Sequence, residues 1–214
     1  MRDENHPQTN HPEVRPLWAS DEATVRAGLC PEHLAPAWQM LLLGDGSPTR
    51  HLGLLTGEPL RVEVVSMTAL AGATDTSAPS DVQQLAAPLM RRAVWLMTSQ
   101  TRLAHAVSWW RVEDVEAHLK DTSQPIWSSL ADRRTELYRD VRGIALVESA
   151  VLQDAFERAG PFWSRHYLFW HHGRPLTVIR ETFSPILERW LGPSRSAATL
   201  PSGCSACAAR GARA

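Results

Sequence analysis

The sequence predicts one α+β domain built on an antiparallel sheet, and three observations predict it. The strand-like runs alternate polar and apolar residues, and most of them come as neighbouring pairs joined by short polar connections. A chain of 214 residues, 43% hydrophobic, is long enough for one sizeable core and short for two. Hairpins of this kind favour a sheet with helices on one face over a parallel α/β arrangement.

Taken in order, residues 1–26 are polar and punctuated by proline and are expected to be disordered. The domain proper is expected over 27–192. The spacing predicts a helix over 31–43 with Leu34, Trp38, Leu41 and Leu42 on one side, broken by Gly44-Asp45-Gly46. Ser47 is a good N-cap and Pro48 occupies the first helical position, so 47–55 reads as a short helix ended by Thr56-Gly57. A strand over 60–65 precedes a polar loop over 71–81. Strands over 89–97 and 103–110 are joined by Thr98–Arg102 and should be antiparallel neighbours. Helices are predicted over 112–120 and 126–133, a strand over 136–146, and a helix over 149–159 closed by Gly160. Strands over 161–171 and 175–183 turn about His172-Gly173-Arg174, and Ser184-Pro185 opens a last helix through Leu191. Residues 193–214 are a Ser, Ala, Gly and Arg tail, expected to be disordered.

Composition removes several classes of function. Lys and Arg number 22 against 23 Asp and Glu, a net charge of -1, so there is no overall basic field for nucleic acid or an anionic membrane. Lys120 is the only lysine, which argues against Schiff-base or pyridoxal chemistry. Arginine is the near-universal cation and suits planar carboxylate partners. Cys30, Cys204 and Cys207 offer no disulfide framework, and no apolar run is long enough to span a bilayer. A cytoplasmic protein without membrane insertion is the expectation.

Two charged residues break the strand pattern. In 175–183, Glu181 shares a face with Ile179 and Phe183, so on the core side its carboxylate must be paired, hydrogen-bonded or protonated. A solvent-facing or salt-bridged glutamate is the plainer explanation. In 89–97, Arg92 lies in the stripe Met90, Val94, Leu96 while Arg91 falls on the other side. Two opposite charges projecting into an apolar layer make either a buried ion pair or a pocket for a small anion, and periodicity leaves both open. Weaker signals are set aside. Gly44-Asp45-Gly46 lacks the lysine and glycine spacing of phosphate loops. His166, His171 and His172 lack a companion ligand set, Cys204 and Cys207 have no second pair, and the nine tryptophans are read as core.

Four ordered blocks carry a resemblance: Leu41 to Val65, Arg91 to Leu96, Gln124 to Ile144 and Gly160 to Pro185. Together they resemble the chorismate pyruvate-lyase family, particularly the branch found in photosynthetic lineages. The resemblance implies an antiparallel sheet of about six strands with helices covering an enclosed ligand pocket. It implies an enzyme, a carbon–oxygen lyase that converts chorismate to 4-hydroxybenzoate and pyruvate for quinone biosynthesis, as a monomer and with no cofactor or metal. The key arginine of the family matches Arg92 in RAVWL and its key glutamate matches Glu181 in ETFSP. Backbone donors for the ring carboxylate correspond to Ser47-Pro48-Thr49 and Pro125-Ile126. Here the chain departs from the pattern, because Pro48 has no N–H, leaving Thr49 or another arrangement. Tyr138 and Arg139 are expected to line the same cavity, with Arg139 open to a surface ion pair instead. The alternative is a sensor or phenolic-acid-binding protein of the same fold. Against the sensor, only about thirty residues precede the first core helix, too few for a DNA-binding domain.

Overall fold

The computed structural model describes residues 13–27, 34–70, 75–119 and 138–194. Seven strands form one antiparallel sheet in the order β1-β5-β6-β7-β4-β3-β2. They are β1 (Arg15–Ser20), β2 (Arg61–Leu70), β3 (Leu89–Met97), β4 (Arg102–Arg111), β5 (Tyr138–Glu148), β6 (Phe162–His171) and β7 (Arg174–Phe183). The helices are α1 (Glu22–Arg26), α2 (Pro36–Leu43), α3 (Pro48–Thr56), α4 (Val112–His118), α5 (Ala150–Phe156) and α6 (Glu188–Leu191), with 3₁₀ turns at Ser80–Gln84 and Pro185–Leu187.

Two expectations are corrected here. Residues 15–20 are not disordered: β1 pairs with β5, and Trp18 meets Trp163 edge-to-face at 6.0 Å. One exposed polar strand reads as disorder in isolation, yet its backbone groups and a single tryptophan suffice to dock it on an existing sheet edge. Helices also do not keep to one face. On the front, Trp38, Leu41 and Leu42 of α2 and Leu52 of α3 pack on Val94, Leu96, Ile144, Trp163 and Phe183. On the rear, Leu152 and Phe156 of α5 pack on Trp95, Met97, Val147 and Phe162. Next to them Val82 and Leu85 of the 75–85 segment cover Ala93, Val107, Trp109, Leu168 and Val178. The sheet is apolar on both sides, so each side needs a cover.

Local sequence explains the elements that frame the site. Ser47 caps α3 by accepting from Arg50 N–H, with Pro48 at the first helical position and Gly57 in the left-handed region at φ 72°. β2 runs on to Leu70 because a register shift between Val64 and Ser66 resets the alternation. The helix predicted over 149–159 stops at Phe156, where Glu157 takes a left-handed φ of 53°. At the chain's far end Ser194 O accepts from Ala35 N–H and Gly192 O from the Trp38 ring, so the ordered packing extends to Ser194. The helix predicted over 126–133 lies outside the described residues, as do Cys30, Lys120, Cys204 and Cys207.

Candidate active site

Strand alternation sends one row of side chains from the sheet centre toward α2 and α3. From β3 come Arg92, Val94 and Leu96, from β6 Tyr167 and Phe169, from β7 Ile179 and Glu181, and from β5 Arg139. With Ser47, Pro48 and Thr49 at the start of α3, they enclose a cavity of about 50 Å³, several times the roughly 10–15 Å³ one water needs. Arg92 lies across from Ser108 and Ser108 from Ile179, while Glu181 lies across from Ala106. Arg92 and Glu181 therefore share a face with β4 between them, and strand spacings put their Cα atoms on the order of 12 Å apart.

Glu181 is only 2% exposed, and each carboxylate oxygen is bound from the floor of the sheet. Arg165 Nε donates to Oε2 at 2.8 Å and the Tyr167 hydroxyl donates to Oε1 at 2.8 Å. The other end of the Arg165 guanidinium donates through Nη1 to Leu41 O, Leu42 O and Gly44 O, the carbonyls left over at the end of α2. Arg139 is stacked 4.6 Å from the Tyr167 ring centre and 4.8 Å from that of Phe169, and donates to Gly46 O. The Gly44-Asp45-Gly46 turn is thus a roof held by two arginines of the sheet. It places the start of α3 over the cavity.

Electrostatics follow from that burial. Desolvation pulls the Arg92 guanidinium down to about 10. Burial, then the Glu181 carboxylate beside it, hold the Tyr167 phenol well above its ordinary value, so it serves as a hydrogen-bond donor. His51, beside the roof, is lowered by burial and by the Arg165, Arg139 and Arg50 charges.

The structure brings together Arg92, Glu181, Ser47, Thr49 and Arg139 of the residues singled out by sequence. Tyr138 is not among them: it is 67% exposed, since neighbours on a strand face opposite ways and Arg139 takes the inward position. Ile126 lies outside the described residues. Arg165 and Tyr167 were not singled out, although Trp163, Arg165, Tyr167 and Phe169 form a stripe interrupted by a charge, the signal that marked Arg92 and Glu181.

Fold and site together define an α+β domain with a small, cation-bearing cavity under a helical roof. Residues 42–191, well over half of the chain, match the model of the family described as chorismate pyruvate-lyase Rv2949c-like. The chain therefore belongs to that family. It is 35% identical to the uncharacterized protein ycf21 of Cyanophora paradoxa, covering 80% of this chain and 89% of that one. It is 37% identical to the ycf21 protein of Porphyra purpurea, covering 72% and 83%. Both relatives come from photosynthetic algae. Among solved structures, the effector domain of PhnF from Mycobacterium smegmatis matches with a TM-score of 0.51 at 13% identity, covering 68% of this chain and 92% of that one. That likeness concerns the fold alone.

Proposed function

We propose that the protein is a chorismate pyruvate-lyase, eliminating pyruvate from chorismate to give 4-hydroxybenzoate, a precursor for quinones. The observation that carries the reading is the front cavity, lined by two buried guanidinium groups and one buried carboxylate that project from neighbouring strands. Chorismate is a dianion with one hydroxyl on its ring. In the reaction the C3–O bond to the enolpyruvyl group breaks and the C4 hydrogen leaves as a proton. The C4–H electron pair completes the aromatic ring, and the released enolpyruvate takes up a proton to become pyruvate. Atoms balance without a redox carrier, so the protein's work is positioning and electrostatic.

Arg92 and Arg139 are the partners for the two substrate carboxylates, Arg92 with a planar fork and Arg139 with an Nε that has no hydrogen-bond partner among the described residues. Donors at the start of α3, the Ser47 and Thr49 hydroxyls and the Thr49 N–H, lie beside them in place of the missing Pro48 N–H. Glu181 has lone pairs left after binding Arg165 and Tyr167, and it receives the ring 4-hydroxyl.

Incubation of the purified protein with chorismate, followed by chromatography, should yield equal amounts of 4-hydroxybenzoate and pyruvate. A second reading is that the cavity binds a phenolic acid without turning it over. Saturable 4-hydroxybenzoate binding with no pyruvate formed would select it.

A further inference from the structure

The rear of the sheet carries a second charged recess that the proposed reaction does not use. Next to Glu181 on β7, Arg180 points the opposite way, donating through Nη1 to Ser77 O with its guanidinium 5.6 Å from the Trp109 ring centre. Among the described residues no carboxylate lies within salt-bridge distance of it, because those nearby are engaged elsewhere. Asp75 takes Arg91 at 3.2 Å, the Trp109 ring N–H at 2.9 Å and the Ser77 hydroxyl at 2.6 Å. Asp81 takes His166 at 3.2 Å, and Asp140 takes Arg142 at 2.7 Å. Burial, then the nearby Arg91 charge, pull the Arg180 guanidinium down to about 10, with the Asp75 carboxylate opposing the shift.

Around Arg180 opens a recess of about 500 Å³ between β1, β5, β6 and the 76–79 segment. Its polar wall carries Arg180, Arg142 and His166, with Asp21 and hydroxyl residues such as Ser20 and Thr76, and its apolar part is formed by small residues, including Pro16, Ala19 and Ala145. Gly143 helps to shape that wall: a Cβ there would lie 2.3 Å from the His166 ring, which crosses β5 at this point.

We propose that this recess is a second binding site, for a small organic monocarboxylate that sets its carboxylate on Arg180 and its apolar body against Pro16, Ala19 and Ala145. One guanidinium with no carboxylate at salt-bridge distance among the described residues suits a single negative charge, and Asp21 on the wall, with Asp81 on His166 and Asp140 on Arg142, disfavours a multiply charged phosphate. The apolar wall calls for a hydrocarbon body on the ligand.

The test is titration of the full chain with cyclohexanecarboxylate, which has the acid and the apolar body but no 4-hydroxyl, followed by calorimetry and thermal shift. Saturable binding is expected, weakened at least tenfold in Arg180→Met and kept in Arg92→Met. Ala145→Leu, which leaves Arg180 in place and fills the recess, should weaken binding to the same extent, and circular dichroism checks that each variant folds. Should Arg180→Met fail to fold, Ala145→Leu alone decides. Absence of binding, binding unchanged in Ala145→Leu, or binding lost only in Arg92→Met would each overturn the proposal. None of these readouts depends on turnover of chorismate.

Discussion

Glu181 is held by more than its position on a strand: both oxygens are bound, and the arginine that binds one of them also ties down the end of α2. Breaking a buried pair of this kind by removing one partner costs about 3–5 kcal/mol, because the other charge is left stranded. Arg165→Gln should therefore lower the melting temperature sharply. Tyr167→Phe is the milder probe. It removes one hydroxyl donor to a carboxylate, worth about 1.5–3 kcal/mol of stability, and should lower kcat for chorismate about tenfold with KM nearly unchanged if Glu181 must be aimed at the 4-hydroxyl. Equal losses in binding and turnover would contradict that role. Arg92→Ala should weaken chorismate and 4-hydroxybenzoate binding by about 2–5 kcal/mol, whereas Glu181→Gln should cut turnover far more than product affinity. Arg92 and Glu181 were legible in the sequence as charges inside apolar stripes. Which cation would meet Glu181 was not, since choosing Arg165 over Arg92 requires strand order, and β6, not β3, lies beside β7.

At the scale of elements, local signals served well where they are self-contained and failed where a partner decides. The Ser47-Pro48 start of α3 carries its own capping chemistry and could be read directly. The β6–β7 hairpin about His172-Gly173 could be read as well, with Gly173 at φ 72°. β1 could not, because it is short and mostly exposed, with Leu17 facing solvent, and its stability lies in its pairing with β5 and the contact of Trp18 with Trp163. A polar loop is read over 71–81 with no element assigned just after it, and only the fold reveals Val82 and Leu85 as the cover of the rear core. From this, Trp18→Ala should cost about 2 kcal/mol, the loss of a partly buried aromatic pair, and deletion of residues up to Ser20 should cost more. Such a deletion also bares the β5 edge, so aggregation should rise with protein concentration in light scattering. A deletion that left melting and scattering unchanged would mean that β1 adds nothing to the fold.

For the molecule as a whole, a sheet covered on both faces shields titratable rings to different degrees, His166 most, and that bears on how stability responds to acid. His51 near the roof, His166 behind the sheet and His171 at the β6–β7 turn are all lowered from their ordinary value, with burial as the first cause in each. At His166 the Asp81 carboxylate opposes the shift without cancelling it. A lowered histidine binds its proton more readily in the unfolded chain than in the folded one, so unfolding takes up protons in this range. Stability from these rings is therefore fully present above the unfolded value of about 6.5 and is lost as pH falls from there through the folded values. The Asp75 carboxylate, itself lowered, stays out of this window, exchanging its proton only well below it. The melting temperature should accordingly fall between pH 7.5 and pH 5.5. His166→Gln, which keeps a hydrogen-bonding group near Asp81 and removes one titrating ring, should shrink that fall. A melting temperature constant across this interval, or a fall undiminished in His166→Gln, would show that protonation of these rings is not what couples the fold to acid.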